Sequence, residues 1–143
     1  VFVQLALGSL LILLTALATA PGWWVLETML IRVQPWIARR PHGLKLTVTL
    51  ALAMLWSLAM VTVAVWIWAI GFWLLGAFDR FEAAVYFSLV VFTTLGFGDV
   101  LMVEEWRLLG GLAAANGLLL FGLLTAMLVE TLRETRSRQA TRK

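Results

Sequence analysis

Two threonines, two glycines and an aspartate fall within one short stretch, Thr93-Thr94-Leu95-Gly96-Phe97-Gly98-Asp99. The groups such a stretch can offer to chemistry are main-chain carbonyls rather than side-chain nucleophiles. Glycine reaches positive φ without a Cβ clash, so Gly96 and Gly98 permit a backbone whose angles alternate in sign. That alternation turns successive carbonyls towards one axis, where they can replace the water around a dehydrated cation. The Thr94 hydroxyl adds an oxygen at the inner end. Leu95 and Phe97 are expected to point away from the axis and pack the strand against the element before it.

The element before it is residues 83–93, a mostly apolar segment far too short to cross about 30 Å of hydrocarbon. It follows a polar break, Asp79-Arg80-Phe81-Glu82. A short apolar helix leading into Gly-x-Gly-Asp reads as re-entrant, because irregular backbone at membrane depth survives only where protein buries it or water reaches it. The C-terminal end of that helix carries partial negative charge and favours a cation beneath it.

Longer elements flank this unit. Residues 44–78 form an apolar run interrupted only by Lys45, with Trp66, Trp68 and Trp73 near one end as an interfacial belt and Trp56 as a packing residue. Residues 106–131 form a last spanning helix rich in small residues, followed by a short Arg-rich tail, with residues 100–105 an acidic connector. Residues 1–20 carry no charge and read as a first spanning helix. They lack the basic start of a signal peptide, although Ala18-Thr19-Ala20 resembles a cleavage site. The sequence starts at Val1 without a methionine, so native residues are expected before it. Pro21-Gly22 is expected to weaken or kink this helix. Residues 23–38 show an amphipathic pattern, either an interfacial helix or an extension of the first, so residues 1–37 are one bent helix or two elements. Arg39-Arg40-Pro41-His42-Gly43 closes it as a basic turn.

The fold class expected is therefore an all-α membrane protein. Its parts are an N-terminal segment (1–43), a helix, re-entrant loop and helix unit (44–131) and a basic tail (132–143). Composition agrees: 62% of the 143 residues are hydrophobic and 13% charged, against about 25% charged in soluble domains. With no cysteine, disulfides and thiolate metal sites are excluded. No nucleophile–base pair or metal-ligand spacing appears, so no enzyme is expected, and a net charge of +3 carries no nucleic-acid signal. Basic residues gather at Arg32, Arg39, Arg40 and Lys45 and in the tail, whereas residues 79–107 are acidic. By the positive-inside rule the loop faces outside, the C-terminus is cytoplasmic and the N-terminus lies outside. No spanning helix carries regularly spaced arginines, so no voltage sensor is expected, and the tail is too short for a ligand-binding domain.

The stretch 93–99 resembles the potassium-channel signature Thr-x-Gly-Tyr/Phe-Gly-Asp, and Gly117-x-x-x-Phe121-Gly122-Leu123-Leu124-Thr125-Ala126 resembles the inner helix of simple bacterial two-helix potassium channels. The likeness covers about residues 44–131. Ala114-Ala115-Asn116-Gly117, together with the leading helix, is also similar to small bacterial channel-like proteins. The resemblance implies a potassium-selective subunit in a bacterial inner membrane, assembled as a homotetramer because one chain supplies one filter strand. It implies that the carbonyls of Thr94, Leu95, Gly96 and Phe97, with the Thr94 hydroxyl, hold K+, and that Gly98 completes the filter. No other cofactor is implied. Gly117 falls at the inner-helix hinge, and Thr125 and Ala126 near the cytoplasmic constriction, with Phe121 on the cavity wall.

Filter bracing falls to Tyr86, Phe87, Val90, Thr93 and Asp99. Here the sequence departs from the family: Leu95 stands where Val or Ile is commonest, Phe97 where Tyr is, and Val90 where some members keep a glutamate. Phe97 has no hydroxyl to bond the pore helix, and the position that would receive it is the equally apolar Phe87. Tyr86 is expected to bond the Asp99 carboxylate. Asn116 either faces a central cavity or packs against a neighbouring helix, Gly117 either bends or packs, and Gly110-Gly111 is expected to be a close contact. Two alternatives stand beside selective conduction: a weakly selective cation channel, and a non-conducting scaffold that kept the pore fold.

Overall fold

A computed structural model describes residues 1–37 and 42–140; of the basic turn expected at Arg39-Arg40-Pro41-His42-Gly43, the first three residues lie outside the described ones, and His42 and Gly43 already belong to a helix. Among the described residues four α-helices follow one another: α1 (Phe2–Ile37), α2 (His42–Leu74), the short α3 (Phe81–Phe92) and α4 (Arg107–Ala140), with a 3₁₀ turn at Glu104–Trp106 just before α4. Among the described residues there is no strand. Three of the described stretches are long and apolar enough to cross a membrane, Phe2–Val33, Thr47–Leu74 and Glu104–Glu130, whereas α3 is too short.

α1 is a single helix that runs through both Pro21 and Pro35, so the alternative of two elements is set aside. Proline withholds one N–H, and the neighbouring helices hold the segment in place. The Trp56 indole donates to the Gly22 carbonyl at 3.0 Å. α2 stops at Leu74, short of the expected 78. Gly76 sits at φ 69°, and the Ala77 N–H reaches the Phe72 carbonyl while the Gly76 N–H reaches Trp73. These are the paired bonds of a Schellman cap, which needs a left-handed residue after the helix. α3 starts at Phe81, so part of the supposed polar break is already helical, with Arg80 and Glu82 paired across the start. α4 continues to Ala140, which makes most of the expected tail a helical extension. At 1.5 Å per residue its 34 residues span about 51 Å, well beyond a bilayer core.

α1 and α4 run parallel, since Gln4 bonds to Leu109 near both N-termini and Leu26 and Leu30 cluster with Met127 and Leu128 near the other ends. α2 returns between these levels, and α3 is wedged against α2 and α4. The main core lies where these elements meet, built on Trp68, Phe72, Phe92, Leu109 and Ala113, all fully buried. Trp68 therefore belongs to the core rather than to an interfacial belt; Trp66 and Trp73 remain exposed. Phe72 stands edge-on to Phe87 and Phe78, with ring centroids 5.6 and 6.3 Å away, an arrangement favoured by the ring quadrupoles. This aromatic block fixes α3 at the depth where its C-terminus opens into the loop 93–99.

Candidate functional site

The loop begins inside the cap of α3. Thr93 ends the helix, and its hydroxyl donates back to the Leu89 carbonyl at 2.9 Å. The Thr94 N–H then bonds to Val91 and the Leu95 N–H to Val90, both at 3.0 Å. This is a second Schellman cap, with Thr94 in its left-handed position at φ 58°. Among the described residues Thr94 is the only non-glycine with positive φ, a conformation uncommon for a residue with a Cβ and a branched side chain.

The next positive angles fall two and four residues later, φ 60° at Gly96 and φ 77° at Gly98. Left-handed backbone therefore recurs at every second residue from Thr94 to Gly98. The alternation expected from the two glycines is present, and the helix cap supplies its first member. No atom outside the immediate chain neighbours lies within 4 Å of a Cβ built at Gly96 or Gly98, so the need for glycine there is conformational and not steric.

Asp99 closes the loop onto α3. The Tyr86 hydroxyl donates to its carboxylate at 2.6 Å, the bond expected from the sequence. That bond holds the Asp99 carboxyl below its ordinary range against a smaller opposing effect of desolvation, with help from the Asp99 and Val100 backbone N–H groups. Val90 is buried in α3. Phe87 packs on Phe72 and Phe78 and makes no ring contact with Phe97. Leu95 and Phe97 are 59% and 67% exposed, so the expectation that they pack the strand against the chain's own short helix is not met. Their surfaces lack a partner within one chain. Beside the loop lies an open cleft of about 520 Å³ lined by Phe87, Val91, Leu101, Met102, Gly110 and Ala114, among others.

On α4 the residues singled out from the sequence separate. A Cβ at Gly117 would lie 2.5 Å from the Phe92 carbonyl oxygen and 2.7 Å from its Cα. Glycine is thus needed for α4 to rest on the main chain at the end of α3, a packing demand that stands apart from any bending. Gly110 has a similar but milder reason, its Cβ falling 3.3 Å from the Phe87 ring, whereas Gly111 meets nothing within 4 Å. Asn116 is buried, in company with α1 residues Thr15 and Thr19, and its Nδ2 has no protein partner. Within the chain it lies against α1, and its Nδ2 makes no hydrogen bond to that helix. Phe121 and Thr125 border a groove of about 430 Å³ shared with Met54, Leu55 and Leu58 of α2, and Ala126 is exposed.

Sequence reasoning missed Gln4, which reaches the start of α4 from the opposite end of the chain. One uncharged polar residue near the end of an apolar helix was its only signal. Among the described residues no cluster of His, Cys, Asp and Glu suits a metal ion. What the loop offers is a row of carbonyl oxygens on a backbone of alternating hand, with one threonine hydroxyl at its root.

A family model described as "Ion channel" matches residues 47–134, from early α2 through most of α4. No curated protein and no solved structure matches the chain.

Proposed function

The chain belongs to the ion channel family, and from that premise we propose that it is a potassium-selective subunit whose residues 94–98 form one strand of a four-chain filter. The observation that carries this reading is the left-handed backbone at Thr94, Gly96 and Gly98. Alternating hand is what lines up carbonyls on one side of a strand, and rings of such carbonyls substitute for an ion's hydration shell. Thr94, Leu95, Gly96 and Phe97 would present the carbonyls, with the Thr94 hydroxyl innermost. α3, whose C-terminus feeds the strand, adds the negative end of its dipole below.

Assembly into a homotetramer follows from the incompleteness of one chain. A single strand cannot surround an ion, and closed rotational symmetry is the ordinary way to complete a ring. Leu95 and Phe97 supply apolar surface with no cover in their own chain, and the cleft beside Phe87 and Met102 offers such cover on a second copy. The charge pattern supports a membrane orientation with the loop outside and the C-terminus cytoplasmic, with Asp79, Glu82, Asp99, Glu104 and Glu105 around the outer mouth. Those carboxylates raise the local cation concentration at the entrance.

The test is potassium and sodium flux into vesicles containing the purified full chain. Selective potassium uptake supports the proposal. Equal uptake of both ions would favour the weakly selective alternative, which the apolar Phe97–Val90 surroundings of the loop make worth separating. No uptake beyond empty vesicles would leave the scaffold reading.

A further inference from the structure

Gln4 does something that neither the ion-channel match, which begins at residue 47, nor the proposed filter accounts for. Its side-chain Nε2 donates to the Glu105 carbonyl, and its Oε1 accepts from the Leu109 N–H at 3.2 Å. Those two main-chain groups are four residues apart, the pair that an α-helix starting one residue earlier would join directly. The carboxamide of Gln4 stands between them, at the junction where the 3₁₀ turn Glu104–Trp106 gives way to α4. The first N–H groups of any helix lack partners within it, and at this helix start the partner comes from another helix more than a hundred residues away in sequence.

The rest of α1 is held firmly enough for this contact to bear load. Gly8 approaches α4 so closely that a Cβ there would meet the Leu112 side chain at 2.3 Å. Further along, the Trp56 indole bonds to Gly22 and Met60 lies against the same glycine. α1 is thereby fixed to α2 in its middle and to α4 at its start. Between Asp99 and the Gln4 junction runs only the short return leg of the loop, residues 100–106.

We propose that Gln4 is a positioning residue for the outer end of the filter: by inserting its amide at the 3₁₀-to-α junction it sets where α4 begins, and so fixes the return leg that holds Asp99. The N-terminal helix is then an integral brace of the pore mouth, not a separate anchor. Without the carboxamide, the Glu105 carbonyl and the Leu109 N–H lose their partner, so the 3₁₀-to-α junction frays and the return leg is no longer held in place. This inference rests on the channel reading, but one of its two readouts does not.

The experiment compares the full chain with Gln4→Leu, which removes both bonds, and Gln4→Asn, which keeps the amide on a shorter arm and serves if the leucine variant does not assemble. Leu17→Ala, on an exposed part of α1, is the control. Amide hydrogen exchange over residues 99–109 is measured in detergent or nanodiscs, and the ratio of potassium to sodium flux in vesicles. The expected result is exchange at least tenfold faster in that segment, together with at least a threefold lower flux ratio, for the Gln4 variants alone. Unchanged exchange would overturn the proposal, and so would faster exchange with an unchanged flux ratio, which would reduce Gln4 to a local structural contact. Absence of flux from the unaltered chain is a different failure: it sinks the channel reading, and the filter role of Gln4 with it.

Discussion

At the loop, each glycine and threonine has a separate physical duty, and substitutions divide them. An L-residue in left-handed backbone costs about 1–2 kcal/mol, and Gly96 and Gly98 occupy that region at φ 60° and 77°. Gly96→Ala and Gly98→Ala are each expected to cut vesicle flux at least tenfold while leaving helix content by circular dichroism unchanged, since nothing crowds either position. The Tyr86–Asp99 bond makes a pH prediction. Its effect is to lower the Asp99 value in the folded chain, so the bond contributes stability above the carboxyl's unfolded value. That contribution is lost as pH falls through the lowered folded value. Tyr86→Phe removes the donor and lets the Asp99 carboxyl return upwards. Flux through the variant should therefore begin to fail at a less acidic outer pH than flux through the unaltered chain; identical acid limbs would remove Tyr86 from the bracing of the loop.

Among the elements, α4 meets the end of α3 through main chain rather than side chain. A Cβ at Gly117 would run into the Phe92 main chain, which cannot swing aside as a side chain does. Gly117→Ala is expected to lose about 1–3 kcal/mol by overpacking, although alanine is the better helix former by about 1 kcal/mol. Gly122→Ala, with open space around it, should gain a fraction of that amount. Thermal unfolding in detergent separates the two, and equal melting temperatures would mean that α3 and α4 adjust freely. Much of this level could be read from the sequence, because hydropathy and length mark spanning helices directly. The short α3 and its place before Gly-x-Gly-Asp were legible for the same reason. The end of α2 was not, since a left-handed Gly76 is a conformational choice that the apolar run around it conceals. The continuity of α1 through Pro21 was equally hidden, because only the tertiary contacts of Gly22 with Trp56 and Met60 decide whether a proline ends a helix. Trp68 illustrates the same limit: four positions separate it from Phe72, yet only packing tells a core tryptophan from one at an interface.

For the whole molecule, the main expectation is that other copies complete what one chain begins. The loop's apolar side chains stand uncovered, and Leu118, Leu119 and Leu123 of α4 are exposed as well. Part of that surface is expected to meet lipid, and the part beside the loop to meet other copies. Phe97→Asn should therefore weaken assembly while preserving the fold of each chain, read as loss of the four-chain species in native mass spectrometry from mild detergent. A chain that is monomeric before and after the change would oppose the proposed assembly. The left-handed angles at Gly96 and Gly98 were anticipated by the sequence because glycine announces its angles, whereas that of Thr94 was not, since it arises from the helix cap, and which helix Asn116 packs against depends on how an extra helix docks. The measurement that bears most directly on the central claim is the reversal potential of the purified chain in planar bilayers under opposed potassium and sodium gradients. The account predicts a reversal close to the potassium equilibrium potential; a reversal near zero, or no current at all, would contradict it.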